Sequence, residues 1–441
     1  MRVLVVVLLV ALASACRPTD LPSGIDAVAH DYVVLALAAG RHDPDFVDAW
    51  YGPDDLKARA DADTRGPAEL REAARALRVY LGTLPVSDEP LDQLRRRYLD
   101  RQLGAMVTRL GMVLGEALPF DEETARLYDA VAPQPDIERY ERALAEIEAL
   151  VPGPGPIAER VEAMHRRFVI PPERLATVFG RAIAECRTRT LARIELPEHE
   201  RFTIEFVTDK PWSGYNWYHG DAYSLIQINT DLPIFIGRAI DLGCHEGYPG
   251  HHAYNVLLES ELAQGNGWVE FTLYALFSPQ SLVAEGSANY GIDIAFPDGE
   301  YYAFEEQVLM PLAGLDTAEA VRYRALREAL KRLDDAGNAA ARRYLDGSFS
   351  RADAVEWLVR YTLVSPERAA QRVDFFDKYR GYVINYNLGR DMVRRYIECG
   401  ADSAPQRWQR FAELLGSPRL PSDLADGAAV CVPAPPVQES T

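Results

Sequence analysis

The sequence is short of lysine. Of its 47 Lys+Arg residues only Lys57, Lys210, Lys331 and Lys378 are lysines, an imbalance that reads as genome composition rather than function. It also lacks any excess of positive charge. With 66 Asp+Glu the formal net charge is −19 and the pI about 4.9, which argues against nucleic acid as a partner, because phosphate binding needs a positive field. The five cysteines contain no CxxC pair, which excludes a thiolate zinc ribbon. Beyond the first 15 residues no stretch is long and apolar enough to cross a bilayer, which takes about 18–20 apolar residues. Histidine is scarce as well, with eight in 441 residues. What is present, 48% hydrophobic and 26% charged residues, is the composition of an ordinary globular protein with length for about two or three domains.

The N-terminus stands apart from the rest. Arg2 precedes an unbroken apolar run from Val3 to Ala13, the charge layout and length of a secretory signal. The small residues Ala13, Ser14 and Ala15 lead directly into Cys16. This is similar to the lipobox of bacterial lipoproteins, in which the cysteine is lipidated and becomes the mature N-terminus. The expectation is a signal peptide over 1–15 and a tether over 16–27. The protein would then be lipid-anchored in the cell envelope, on the periplasmic or extracellular face, through Cys16. Of the other cysteines, Cys399 and Cys431 either staple the Pro-rich tail to the body or remain two free thiols. Cys186 is expected in a helix core, and Cys244 as a small core residue.

Most of the chain reads as helix, in an N-terminal helical region over 28–200 and a C-terminal one over 301–420. Leu70, Ala74, Leu77 and Leu81 form one stripe over 67–82, with Pro67 at the start. Similar stripes cover 90–115 and 136–150. The segment VPGPGP, Val151 to Pro156, breaks the pattern. Pro171 and Pro172 open a helix to about Arg193, Ser350 and Asp353 make a capping box with Asp in place of Glu, and Ser365-Pro366 starts another helix. Alternation at Phe202, Ile204 and Phe206, and the β-rich YSLIQINT from Tyr223 to Thr230, predict a small β-sheet near 202–230. The aromatic segment PWSGYNWYHG between them reads as a loop, either a hydrophobic plug or a cleft wall. The tail over 421–441 reads as irregular.

Three of the eight histidines, His245, His251 and His252, fall within HEGYPGHH at the end of an apolar helix. His-Glu in that setting resembles the HExxH zinc site, where two histidines at i and i+4 share a helix face and the Glu between them is the base. On an unbroken helix His245 and His251 would point about 240° apart, and His245 and His252 would lie roughly 10.5 Å apart along the axis. Neither pair could share a zinc with bonds of about 2.0–2.1 Å. The helix must break, and Pro249-Gly250 are the residues that break it. A two-residue loop-out brings His251 to the place of the i+4 histidine, with His252 as the alternative.

HEGYPGHH resembles the HExxPGHH motif of a bacterial family of unknown function, many of whose members are candidate lipoproteins. That family in turn resembles the zincin metallopeptidases whose third zinc ligand is a Glu. LVAEGSANYG is similar to the family's EGxAxY segment and puts Glu285 in the third-ligand position. RGYVINYNLGRDMV resembles its Pro-Gly-Gln…Tyr-Lys-x-Gly stretch, with Tyr386 and Gly389 in register. Arg380 stands where Pro is usual, Tyr382 where Gln is, Asn387 where Lys is, and Ser287 where Trp is.

The resemblance implies a mainly α, multi-helix zincin-like metallopeptidase fold with its zinc-site region over 201–300. His245, His251 and Glu285 would hold Zn2+, and the fourth position would be left for water. Glu246 would be the general base and Tyr386 a hydrogen-bond donor to the developing oxyanion. Asn289, one turn after Glu285, could accept the N–H of a ligating His. Glu259, Glu261 and Glu270 read as ordinary solvated charges. The strand YSLIQINT is expected to offer an edge to an extended peptide. The function read here is a lipid-anchored zinc metallohydrolase, a peptidase acting on a peptide or small amide. The alternatives are a zinc amidase or esterase on a non-peptide substrate, and a non-catalytic binding protein with a structural metal.

Overall fold

A computed structural model describes residues 23–210 and 212–429. The signal peptide and Cys16 lie outside the described residues. The first helix, Ile25–Ala39, takes in the last three residues of the expected tether. Stripe and breaker signals translate directly into helices. Pro67–Thr83 buries Leu70, Ala74 and Leu81, and its first turn is closed by the Gly66 N–H donating to Glu69 Oε2 at 2.9 Å. Pro90–Val113 and Ile137–Leu150 follow, and the proline-glycine segment separates the latter from Ile157–Arg166. Pro172–Arg174 is a tight turn that runs into Leu175–Leu191. At Arg351–Thr362 the capping box is formed in both directions, Ser350 N to Asp353 Oδ2 at 2.9 Å and Asp353 N to Ser350 Oγ at 3.2 Å. The helix Pro366–Tyr379 follows, with Ser365 as its cap.

Among the described residues, five short strands make two sheets. β1 (Val47–Trp50) pairs antiparallel with β5 (Leu273–Ala275). The other sheet has the order β2-β4-β3, with β2 (Arg201–Val207) parallel to β4 (Tyr223–Asn229) and β3 (Gly214–Tyr218) antiparallel to β4. Two expectations are corrected here. The aromatic segment is not a loop, because its Gly214–Tyr218 portion pairs in register with Ile228–Ser224. YSLIQINT is not an edge, since it is the central strand with partners on both sides. The start of the tail is corrected too, as Pro421–Ala429 is helical, while 430–441 lie outside the described residues.

Among the described residues the main hydrophobic core runs from Val28 to Leu424, and a small second cluster joins Tyr218, Ala222 and Val256. Polar groups that read as solvated are built into it. Glu270 is fully buried and receives Arg95 Nε at 2.6 Å, and Glu259 is buried, accepting the Asp221 and Ala222 N–H groups at 3.0 and 3.1 Å. Glu261 is exposed, as expected. Cys186 and Cys244 are buried as expected, but they are bonded to each other, tying Leu175–Leu191 to the segment that carries His245. Cys431 lies outside the described residues, so the choice between a Cys399–Cys431 staple and two free thiols does too.

Two long helices cross where neither can carry a side chain. Pro279–Ala295 meets Ile384–Glu398 at Gly286 and Gly389, and a Cβ on Gly286 would stand 2.5 Å from the Gly389 carbonyl carbon. Gly286→Ala should therefore destabilise the fold by about 1–3 kcal/mol, the range of overpacking. Gly82→Ala near the end of Pro67–Thr83 meets nothing within 4 Å and should stabilise by up to about 1 kcal/mol. Denaturant unfolding of the two variants should move in opposite directions; a shift of the same sign in both refutes the steric account.

Candidate metal centre

The apolar helix Gly237–Leu242 widens into a π-helical turn, Gly243–Gly247, which carries His245 and Glu246. Tyr248 is extended and joined to Pro249 by a cis peptide bond, and a new helix, His251–Leu257, starts after Gly250. The Gly250 N–H donates to the Cys244 carbonyl at 3.0 Å, and a Cβ at Gly250 would overlap the His245 and Cys244 carbonyls. The break thus folds the second helix back onto the first, as the spacing requires.

It brings the two histidines together. Their Nε2 atoms are 3.1 Å apart with the rings perpendicular. Glu285, from the helix Pro279–Ala295, places Oε2 3.2 Å from His245 Nε2 and 3.8 Å from His251 Nε2. The three ligand atoms lie within 4.8 Å of one another. Tetrahedral ligands at about 2.0–2.1 Å from one ion stand about 3.3 Å apart, so the triad has the dimensions of a metal site. Glu285 Oε2 is buried and makes no hydrogen bond of proper geometry, although an unpartnered buried carboxylate oxygen is costly. A cation among the three groups would remove that cost.

Neighbouring groups fix the orientation of each ligand. His245 Nδ1 lies 3.1 Å from Asn289 Oδ1, and Asn289 Nδ2 donates to the Tyr386 carbonyl at 3.1 Å. The amide therefore presents an acceptor, Nδ1 carries the proton, and Nε2 keeps its lone pair for the triad. Tyr382 donates its hydroxyl to Glu285 Oε1 at 2.8 Å. Burial alone would raise Glu285, but the two histidines hold it far below the usual carboxylate range. Burial alone would depress His251, but Glu285, with Glu246 and Asp48, carries it up to about 9.

His252 goes elsewhere. It is fully buried, with Nδ1 2.8 Å from Ser224 Oγ and Nε2 3.1 Å from Glu200 Oε2. Glu200 also receives Tyr248 and Arg187, so this network pins the broken segment to β4 and to Leu175–Leu191.

Glu246 is 4% exposed and faces β3, where a Cβ on Gly214 would stand 2.8 Å from its Oε1. Burial pushes its carboxyl up, against the pull of His245 and His251. Tyr386 lines the same cleft, and its hydroxyl has no hydrogen-bond partner among the described residues. The cleft has a volume of ≈ 1330 Å³, walled by Trp212, Tyr215 and Trp217 on one side and Phe375, Tyr379 and Tyr382 on another. Asp48 of β1, which nothing in the sequence singles out, also lines it; Tyr215 donates to Asp48, whose carboxyl burial pushes up to about 7.

No known family model matches the chain, and no curated protein does. Among solved structures, the putative lipoprotein from Colwellia psychrerythraea superposes with a TM-score of 0.50 and 15% identity over 91% of this chain and 75% of that one. The M32 carboxypeptidase from Deinococcus radiodurans R1 gives 0.48 and 12% over 91% and 94%. The likeness to the first is one of fold: a mainly helical chain with small sheets.

Removing an orienting partner should weaken metal uptake without abolishing it. Asn289→Ala and Tyr382→Phe should each lower metal affinity about 10–100-fold in a chelator competition titration. His252→Ala should lower the melting temperature yet leave metal stoichiometry intact. Loss of the metal in His252→Ala, with the fold retained, would make His252 rather than His251 the second ligand.

Proposed function

We propose that this protein is a zinc-dependent metallohydrolase that cleaves peptides. The observation that carries the reading is the convergence of His245, His251 and Glu285 beside a buried, non-ligating carboxylate, Glu246, in one large cleft. Two imidazoles and a carboxylate suit zinc better than calcium or magnesium, and the three protein ligands leave a position open. Zinc, when bound, supplies a Lewis acid that polarises the substrate carbonyl and lowers the pKa of water toward about 7.

The chain's own groups do the rest. Glu246 takes the proton from the attacking water and delivers it to the leaving amine. Its burial raises its proton affinity, which suits a group that must hold a proton between two steps. Tyr386 donates its free hydroxyl to the oxygen of the carbonyl under attack. Among the described residues β3 is paired on one side only, and its other edge can hold an extended substrate through main-chain hydrogen bonds. A structural metal site would need no carboxylate in the position of Glu246. The lipobox at Cys16 supports attachment of this enzyme to a membrane of the cell envelope, since no described helix is long and apolar enough to cross one.

Glu246→Gln keeps size and shape. It should retain about one zinc per chain while activity on a cleaved peptide falls by about 10²–10⁴-fold. Tyr386→Phe should cost on the order of 10²-fold, mainly in kcat, because the oxyanion forms only near the transition state. Metal analysis beside steady-state kinetics checks both; full activity in Glu246→Gln with zinc present would end the comparison with zincins. Cys16→Ser should move the protein from membranes to the soluble fraction. Retention on membranes in high salt without detergent would exclude lipid anchoring at that residue.

A further inference from the structure

The cleft wall facing the metal cluster carries two arginines that have no anion. Arg368 and Arg372 lie one turn apart on the helix Pro366–Tyr379, and both line the cleft. Neither guanidinium has a carboxylate within 4.0 Å or a hydrogen bond to any described residue. Arg368 has only a ring contact, with Phe235 at 5.6 Å, which leaves its N–H donors free. Three other cations of the same cleft are paired, Arg327 with Glu305 at 2.6 Å, Arg390 with Asp293 at 2.7 Å and Lys331 with Glu328 at 2.9 Å, and Arg407 donates to the Ala401 carbonyl at 3.4 Å. In a chain with 66 acidic residues against 47 basic ones, a half-buried arginine without a partner is not explained by a shortage of carboxylates. Burial pulls Arg372 below the ordinary guanidinium range, with Asp334 opposing from beyond ion-pair distance. The space for Arg372 is kept open by Gly337, where a Cβ would stand 2.5 Å from Nη2.

Position selects the anion. On this helix Arg372, Phe375 and Tyr379 share the cleft-facing stripe. The Tyr379 ring lies 6.2 Å from that of Tyr382, whose hydroxyl holds Glu285, and the Phe375 ring lies 6.4 Å from that of Tyr386. Arg372 precedes Phe375 by three residues, about 4.5 Å along the axis, and Tyr379 by seven, about 10.5 Å. An extended peptide advances about 3.3–3.6 Å per residue. The helix thus sets the Arg372 backbone one to three extended-peptide residues from the two aromatic residues that neighbour Tyr382 and Tyr386, with Arg368 one turn farther. We propose that Arg372, assisted by Arg368, receives the C-terminal carboxylate of a peptide substrate, so that this site releases short fragments from the C-terminus. The planar fork of a guanidinium matches a carboxylate with two parallel hydrogen bonds. Hydrolysis is balanced by water alone: hydroxyl goes to the carbonyl carbon, the C–N bond breaks, and the proton goes to the departing amine of the C-terminal fragment.

This deepens the peptidase reading and rests on it, so the test separates the two. The Glu246→Gln variant of the full chain, stripped of metal, is immobilised and offered a pool of N-acetylated random tripeptides, as free acids and as C-terminal amides. Mass spectrometry reads what is retained. Free acids should be retained about 10–100-fold over amides, the range of charge-assisted hydrogen bonds. Arg372→Ala in the same background should erase the preference, Arg372→Lys should restore part of it, and Arg368→Ala should reduce it, all with unchanged melting behaviour. Equal retention of acids and amides overturns the proposal. So does a preference that survives both alanine substitutions, or one that follows an internal Asp or Glu in the amide pool. If the zinc-loaded wild type leaves the same pool uncut while acid-selective retention persists, the peptidase reading falls and the carboxylate site stands.

Discussion

Two histidines six residues apart can present nitrogens to one point only if the helix between them stops and turns back. The rest of the site depends on that constraint. Gly250 meets it through absence, since any side chain there would occupy the space of the His245 and Cys244 carbonyls. A backbone this close to itself needs support from outside, and the support is covalent and polar. The Cys186–Cys244 bond ties the first half of the break to Leu175–Leu191. Glu200 collects Arg187, Tyr248 and His252 and ties the second half to the same helix and to β4. His252 is thus a structural histidine whose work is to hold His251 in place. Its two ring nitrogens are both engaged, which leaves none for a metal.

Glu285, the third member of the triad, comes from a distant part of the chain, and its position depends on a helix crossing without side chains. Contact between Gly286 and Gly389 lets Pro279–Ala295 lie directly on Ile384–Glu398. Asp293 fixes the crossing farther along by receiving Arg390 and Arg394, each at 2.7 Å. Close approach then has a chemical consequence. It delivers Tyr382, in the turn Arg380–Val383 that leads into the helix, to Glu285, and the Tyr386 carbonyl to Asn289, so one continuous segment orients the carboxylate and, through the amide, the imidazole of His245. A buried polar cluster is tolerable only when its members are nearly all satisfied. Here the exception is Glu285 Oε2, at the centre of the triad.

Much of this was legible in the sequence because it depends on local rules. Proline at helix starts, the Ser350 box and the VPGPGP breaker act over three or four residues, and the elements follow. The break at Pro249-Gly250 was legible for a different reason: 3.6 residues per turn cannot serve two ligands at a spacing of six. Asn289 was legible from the same geometry, one turn from Glu285. What escaped needs partners far away in the chain. β3 carries a glycine, an asparagine and three aromatics, a pattern that fits a loop as well as a strand until β4 lies beside it. Cys186 and Cys244 are 58 residues apart, and connectivity cannot be read from spacing alone. Glu259 and Glu270 look like solvent charges because their partners, two backbone amides and Arg95, come from other elements. Asp48 carried no signal at all. Tyr382 carried one, as a departure from a familiar pattern, and the departure turns out to touch the candidate ligand.

Net charge and local charge act at different ranges in this molecule. A chain of −19 repels a peptide with a free C-terminus at long range, but at physiological ionic strength that field decays over about 8 Å. Inside a cleft the near groups decide. One wall holds Glu246, Glu285 and Asp48, and a metal ion on the triad would offset much of their charge. The other wall holds Arg368 and Arg372, which have no protein anion to offset them. A substrate with its carbonyl at the first wall and its carboxylate at the second would complete both halves of the electrostatics at once. A substrate without that terminal charge would leave two desolvated guanidinium groups unpaired, and the cost of an unpaired buried ion is what turns a complementary charge into selectivity. The unpaired state of these two arginines is therefore better understood as a property of the free protein awaiting an anion than as a feature of the fold.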